Sequence, residues 1–213
     1  MSLLSQGRAH SVSPPKSTVR APDKTRQALV DAGVSLFSDL GFDATSVRDL
    51  VEKANVTKGA FYHHFRSKEE LLREIHDEFT DYQLDLLRVA RDTDASPEEM
   101  FRILLADVFL KPIERYRRHM KIFMQERRHL KDPAFADIFQ KRKEFEDIVV
   151  EVLERRVQQG AYRDLGSTRV VALALIGMSA WAMNWLDGSP GIDEVSQVFF
   201  ELTYLGLKAT DTA

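Results

Sequence analysis

The 213-residue chain is 44% hydrophobic and 30% charged and contains no cysteine, a composition ordinary for a soluble globular protein with a real core. The missing thiols exclude disulfide scaffolds, thiolate zinc sites and cysteine nucleophiles, and they suit a reducing cytoplasm. The formal charge of −3 is unevenly spread: residues 1–70 hold 10 Lys and Arg against 8 Asp and Glu, and residues 71–213 hold 20 against 25, so only the N-terminal part has the sign that phosphate attracts.

Residues 1–22, rich in Ser and Pro, read as a disordered arm without the apolar core of a signal peptide. From Asp23 onward the pattern is helical. Ala28, Leu29, Ala32, Leu36, Phe37 and Leu40 recur at three- and four-residue spacing and predict a helix over 23–40 with one apolar stripe, stopped by Gly41. Helices follow at 46–53 and 57–63. Ser67-Lys68-Glu69-Glu70 is a capping-box start for a helix over 67–92, and Ser96-Pro97-Glu98-Glu99 starts another over 97–117, which Pro112 should kink or split. Further helices are expected at 119–129, at 133–159 after the Asp132-Pro133 start, and at 167–187 and 192–209, separated by Gly160, Gly166 and Gly188-Ser189-Pro190-Gly191. Period-two strand runs with turn signals are missing. The expectation is an all-α protein of about nine helices. The uncharged run Val170–Leu186 is at the short limit for a membrane span and is diluted by alanines, Gly177, Ser179 and Asn184, so it reads as a buried or subunit-contacting helix.

The informative stretch is 41–65. Val47, Leu50, Val51 and Ala54 form the inner face of one short helix, and Val56, Ala60, Phe61 and Phe65 the inner face of the next, with a tight turn at Asn55-Val56-Thr57. Thr57, Lys58, Gly59, Tyr62, His63 and His64 are left outward, a small, basic, hydrogen-bonding surface of the kind that enters a major groove. Thr45 and Ser46 suit either a helix cap or a phosphate contact. Adjacent His63 and His64 point about 100° apart on a helix and have no third partner nearby, so no metal site is expected.

Gly41-Phe42, Thr45-Ser46-Val47, Val56-Thr57-Lys58-Gly59, Phe61-Tyr62-His63-His64-Phe65 and Ser67-Lys68-Glu69-Glu70-Leu71 together closely resemble the signature of the TetR/AcrR family of transcription regulators, over about residues 24–72. The resemblance implies a helix-turn-helix DNA-binding domain at 23–66 and a helical ligand-binding and dimerisation domain at 67–213. It implies a cytoplasmic homodimeric repressor on a palindromic operator of double-stranded DNA, with Thr45, Ser46, Thr57, Lys58, Gly59, Tyr62, His63, His64 and Lys68 at the DNA. An activator or an architectural protein could use the same head. Arg20 and Lys24 could reach a groove from the arm or be an ordinary polar lead-in.

In the C-terminal half, Ala172, Ala174, Gly177, Ala180 and Ala182 beside Trp181 and Trp185 suit close helix approach. With Val195, Val198, Phe199, Leu202, Leu205 and Gly206 they look like a dimer interface through 167–187 and 192–209, or alternatively a private core. The family resemblance implies a small hydrophobic effector held by Phe101, Leu105, Val108, Phe109, Phe123, Arg127, Phe139 and Trp181. The segment 123–130, Phe-Met-Gln-Glu-Arg-Arg-His-Leu, with Arg115, Arg117 and Arg118 before it, is similar to the branch that answers to acyl-CoA thioesters, whose phosphates guanidinium groups can grip in pairs of hydrogen bonds. A solvated basic helix face fits the same residues. Helix 67–92 would be the lever between effector and head. No nucleophile elbow, Walker loop, dinucleotide fingerprint or spaced metal-ligand set appears, which argues against an enzyme, a cofactor or a metal.

Overall fold

The computed structural model describes residues 23–126, 136–186 and 188–209. It is all-α, with nine α-helices among the described residues: α1 (Lys24–Leu40), α2 (Val47–Lys53), α3 (Lys58–His64), α4 (Lys68–Asp92), α5 (Pro97–Ile103), α6 (Pro112–Gln125), α7 (Ala136–Gln158), α8 (Thr168–Trp181) and α9 (Ile192–Leu207). None is long and apolar enough to cross a membrane. The expected start at Asp132-Pro133 lies outside the described residues.

Local chemistry sets most of these boundaries. Asp23 caps α1 by accepting from the Thr25 N–H at 2.9 Å, and Ser96 caps α5 with Pro97 in its first turn. Gly41 ends α1 at φ 87°, ψ 159°, a conformation open to glycine and strained for any other residue, while its N–H donates to the Phe37 carbonyl.

The expected helix over 97–117 is three pieces. After α5 the backbone widens into a π-helical stretch over Leu104–Leu110, closed by the Lys111 N–H donating to the Ala106 carbonyl five residues back. Pro112, lacking an N–H, then opens α6. The second break falls at Tyr116 (φ −112°, ψ 16°), inside α6 and not at residue 118, so residues 119–125 of the expected helix at 119–129 continue α6, and 127–129 lie outside the described residues. The expected helix at 167–187 ends its α-helical part at Trp181 and tightens into a 3₁₀ turn over Ala182–Asn184.

The described residues form two compact units. One comprises 23–84 with 113–126 and 136–145, the other 85–112 with 146–186 and 188–209; α4, α7 and, through Pro112, α6 each contribute residues to both. In the first unit Leu29, Phe37, Phe42, Leu50, Phe61, Phe65, Leu71, Leu72 and Ile75 pack one core with Ile122 and Ile138. The α1 stripe turns differently from the expected one: Val30 and Gly33 are buried, while Leu40 is exposed. Gly33 lets α1 and α4 approach so closely that a Cβ there would lie 2.9 Å from Ile75 Cδ1.

In the second unit the π-helical stretch packs against α5, α8 and α9. Phe101 is fully buried among Tyr162, Phe200 and Tyr204, its ring centroid 5.6–6.1 Å from theirs. Tyr162 donates its hydroxyl to the Pro97 carbonyl at 2.7 Å, and burial pushes its pKa well up. Arg102 lies 3.6 Å above the Phe200 ring and donates to Gln197, tying α5 to α9.

Candidate nucleic-acid interface

The head begins with a reciprocal cap on α2. The Ser46 N–H donates to Asp49 Oδ2 at 2.8 Å while the Asp49 N–H donates to Ser46 Oγ at 3.2 Å. The hydrogen bonds from the Ser46 side chain and backbone, in that order, hold the Asp49 carboxyl below the usual aspartate range. Asn55 then takes a positive φ of 53° and turns the chain, a conformation asparagine adopts more readily than most residues. Thr57 caps α3, its Oγ1 accepting from the Ala60 N–H at 3.1 Å. Leu50 and Phe61 are fully buried, and Phe65 is buried in the same cluster. This fixes the rotation of α3 and decides which of its side chains face outward.

Lys58, Gly59, Tyr62 and His63 are exposed together. Tyr62 is 50% exposed, edge-on to Phe61 with centroids 5.3 Å apart, and Lys58 Nζ lies 5.9 Å from its ring centre. A Cβ on Gly59 would meet only Thr57 Oγ1, at an ordinary 3.7 Å, so glycine there is not demanded by packing within the chain. Thr57 and Ser46 are also exposed.

Three residues expected at the DNA are engaged inward. His64 has a side chain only 12% exposed, with Nε2 3.7 Å from Asp23 Oδ2. Asp23 opens α1, far enough along the chain that helix periodicity could not reveal it. Thr45 is 1% exposed and donates its hydroxyl to the Gly41 carbonyl at 2.8 Å. Lys68 donates to the carbonyls of Phe42 (2.6 Å) and Thr45 (2.8 Å) and sits 4.2 Å over the Phe42 ring. Among the described residues no group of His, Asp or Glu is arranged to hold a metal ion.

The residues expected at an effector are divided between the two units. Phe101, Leu105, Val108 and Phe109 are buried in the second unit, where Trp181 is 67% exposed. In the first unit Phe123 is partly buried, with the Arg142 guanidinium 5.3 Å above its ring and His76 edge-on, and Phe139 is 57% exposed. Arg127 lies outside the described residues. A groove of about 440 Å³ between α8 and α9, lined by Leu165, Val170, Ala174, Leu175, Thr203 and Gly206 among others, contains none of the eight.

Two residues that matter here were weakly marked in the sequence. Phe42 stood out only as part of a family motif, and Glu126 as one acid in a basic run. In the structure Glu126 is 4% exposed and its Oε1 accepts from the Phe42 N–H at 3.1 Å. A carboxylate amid Arg and aromatic residues near a helix end was the available signal.

Two short helices on a shared core, the second presenting Lys58, Tyr62 and His63 to solvent, make the head a helix-turn-helix DNA-reading module attached to a large helical body. Comparison with known proteins agrees. Residues 29–75 match the model for bacterial regulatory proteins of the tetR family, and residues 94–207 the model for the tetracyclin repressor-like C-terminal domain. The chain therefore belongs to the TetR family of DNA-binding transcription regulators, and several of its curated relatives are described as repressors. The HTH-type transcriptional repressor KstR2 of Mycolicibacterium smegmatis is 31% identical over 147 residues, 68% of this chain and 71% of that protein. The solved ketosteroid transcriptional regulator KstR2 of Mycobacterium tuberculosis superposes with a TM-score of 0.80 at 25% identity, over 90% of this chain and 98% of that one. AibR, solved in complex with isovaleryl coenzyme A and operator DNA, shares the fold at a TM-score of 0.74 and 24% identity, over 84% and 97% of the two chains.

Proposed function

We propose that this repressor acts as a homodimer whose two α3 helices read a near-palindromic operator, and that a small hydrophobic effector, an acyl-CoA thioester in the finer reading, releases it. The observation that carries the DNA-binding part is the outward set Lys58, Gly59, Tyr62 and His63 on a rotationally fixed α3, with Ser46 and Thr57 beside it. Lys58 supplies charge for phosphate, and Tyr62 a hydroxyl and ring for phosphate or a thymine methyl.

Dimerisation is supported by an apolar face on α8 and α9. Val170, Leu173, Trp181, Val198, Leu202 and Leu205 are each at least 44% exposed, and clustered exposed apolar side chains mark interaction surfaces. A two-fold dimer suits a two-fold operator. An effector must favour a conformer whose heads no longer fit the operator, since equal affinity for both conformers shifts nothing. The arginines of α6 and the fold shared with AibR, solved with isovaleryl coenzyme A, support an acyl-CoA ligand.

Sedimentation of the purified protein, selection of bound duplexes from a random pool, and a thermal-shift screen of acyl-CoA thioesters test the three parts separately. A monomer under every condition removes the dimer. Recovery of duplexes without two-fold symmetry removes the palindrome. A panel in which no acyl-CoA raises the Tm or releases DNA removes that effector class.

A further inference from the structure

Phe42 lies in the turn between α1 and α2, and its backbone is held from both ends. The Glu126 carboxylate, at the end of α6, accepts from its N–H at 3.1 Å; the Lys68 ammonium, in the first turn of α4, donates to its carbonyl at 2.6 Å. The same ammonium donates to the Thr45 carbonyl at 2.8 Å, and Thr45 bonds back to Gly41. The Phe42 ring is 3% exposed, edge-on to Phe37 with centroids 5.2 Å apart, and lies under the Lys68 ammonium. Charge-assisted bonds of this kind are about twice as strong as neutral ones.

A carboxylate as buried as Glu126 is costly unless its oxygens are hydrogen-bonded. Its use on the amide of a turn 84 residues earlier therefore calls for a consequence that an apolar side chain could not supply. That consequence lies one step along the chain: Thr45 precedes Ser46, the cap of α2, and α2 packs against α3. We propose that Lys68 and Glu126 are positioning residues, not DNA or effector contacts, which clamp the two peptide groups flanking Phe42 and thereby set the placement of α2 and α3 for operator binding. The clamp rests on the DNA-reading role of the head and adds the means by which α6 and α4 set its geometry.

The two roles open to Lys68 differ in salt dependence. A phosphate contact contributes about 0.9 to the slope of log K against log salt, whereas a residue that acts through the backbone contributes nothing to it. The full chain and its Lys68→Met, Glu126→Gln, Glu126→Asp and Glu126→Leu variants are titrated against a duplex recovered by selection, over a range of salt, beside Lys58→Met as the phosphate-contact reference. Lys68→Met keeps the stem over the Phe42 ring and loses the donor. It is expected to weaken binding about tenfold or more with the slope unchanged, while Lys58→Met lowers the slope. Glu126→Gln retains an acceptor and stays within about threefold of the parent; Glu126→Asp, one methylene short, and Glu126→Leu fall as Lys68→Met does.

Amide exchange at Phe42 is read in the same proteins without DNA, so the clamp is tested even if no duplex is recovered. Glu126→Asp and Glu126→Leu should speed exchange at Phe42 by at least tenfold while α8 and α9 amides hold, and Glu126→Gln should not. A Lys68→Met slope that drops as for Lys58→Met, unchanged binding by Glu126→Leu, or Phe42 exchange equal across the Glu126 series would each overturn the proposal. Failure of the unmodified chain to bind any duplex, with the exchange pattern intact, would fall instead on the operator-binding reading. Should Glu126→Leu not fold, the Asp and Gln pair decides.

Discussion

Tyr62→Ala separates recognition from folding. The side chain is half exposed, and its contacts within the chain are the edge-on Phe61 ring and the Lys58 ammonium. An aromatic pair is worth about 0.5–1.5 kcal/mol and an exposed cation–π contact about 0.5–1 kcal/mol. Folding should therefore lose about 1–2.5 kcal/mol at most, against a typical total of about 5–15 kcal/mol. At the DNA, a side chain in the groove contributes about 1–3 kcal/mol per head. Both heads of the proposed dimer lose it together, giving about 2–6 kcal/mol, or about 30- to 20,000-fold in Kd. Fluorescence anisotropy with the selected duplex measures the affinity, and urea unfolding followed by far-UV circular dichroism measures the stability. Binding within threefold of the parent by both Tyr62→Ala and Lys58→Ala, with the head folded, would refute the assignment of α3 as the reading helix.

Phe61→Ala empties a fully buried site beneath α2 and α3 and should cost about 3–5 kcal/mol in urea unfolding. Gly41→Ala must adopt φ 87° and ψ 159°, and should lose about 1–3 kcal/mol by the same measurement. Leu202→Glu with Leu205→Glu, on side chains 72% and 73% exposed in the single chain, should bring the sedimentation mass to the 24.4 kDa of one chain without lowering its helical signal. His119, with Nε2 3.7 Å from Glu78 Oε2, holds the Glu78 carboxyl below the usual glutamate range, opposed by its partial burial. Because the folded pKa is depressed, its stabilisation is complete above the ordinary glutamate pKa and lost as pH falls through the lowered one. Glu78→Gln should therefore destabilise at pH 7 and progressively less as pH falls below the ordinary glutamate pKa, as read from urea midpoints across that range.

The separation between the two sources of information follows sequence distance. Asp23, Ser46, Thr57 and Ser96 are caps, each satisfying an N–H two or three residues ahead, so four consecutive residues suffice to place the helix starts. Gly41 ends α1 for an equally local reason, and the alternation of Val47, Leu50, Val51, Phe61 and Phe65 orients α2 and α3 through the helical period alone. The family signature lies in that stretch, and the exposed set of Lys58, Gly59, Tyr62 and His63 follows from it. Burial of His64 does not, because its partner Asp23 stands 41 positions earlier. Lys68 reads as a free cation from its neighbours, and it is turned inward by carbonyls 23 and 26 residues away.

The body shows the same limit more strongly. Phe101, Phe139 and Trp181 are alike as apolar side chains on helices, yet the first is fully buried and the others are 57% and 67% exposed. Periodicity gives each helix an apolar face but does not name the neighbour that covers it, or whether any does. The amino-acid sequence by itself therefore determined the helical class, the helix starts and most of the outward face of α3, because these depend on contacts within a turn of helix. Only the tertiary structure decided that Lys68 and Glu126 hold the two peptide groups flanking Phe42, because those contacts depend on which distant elements the core brings side by side.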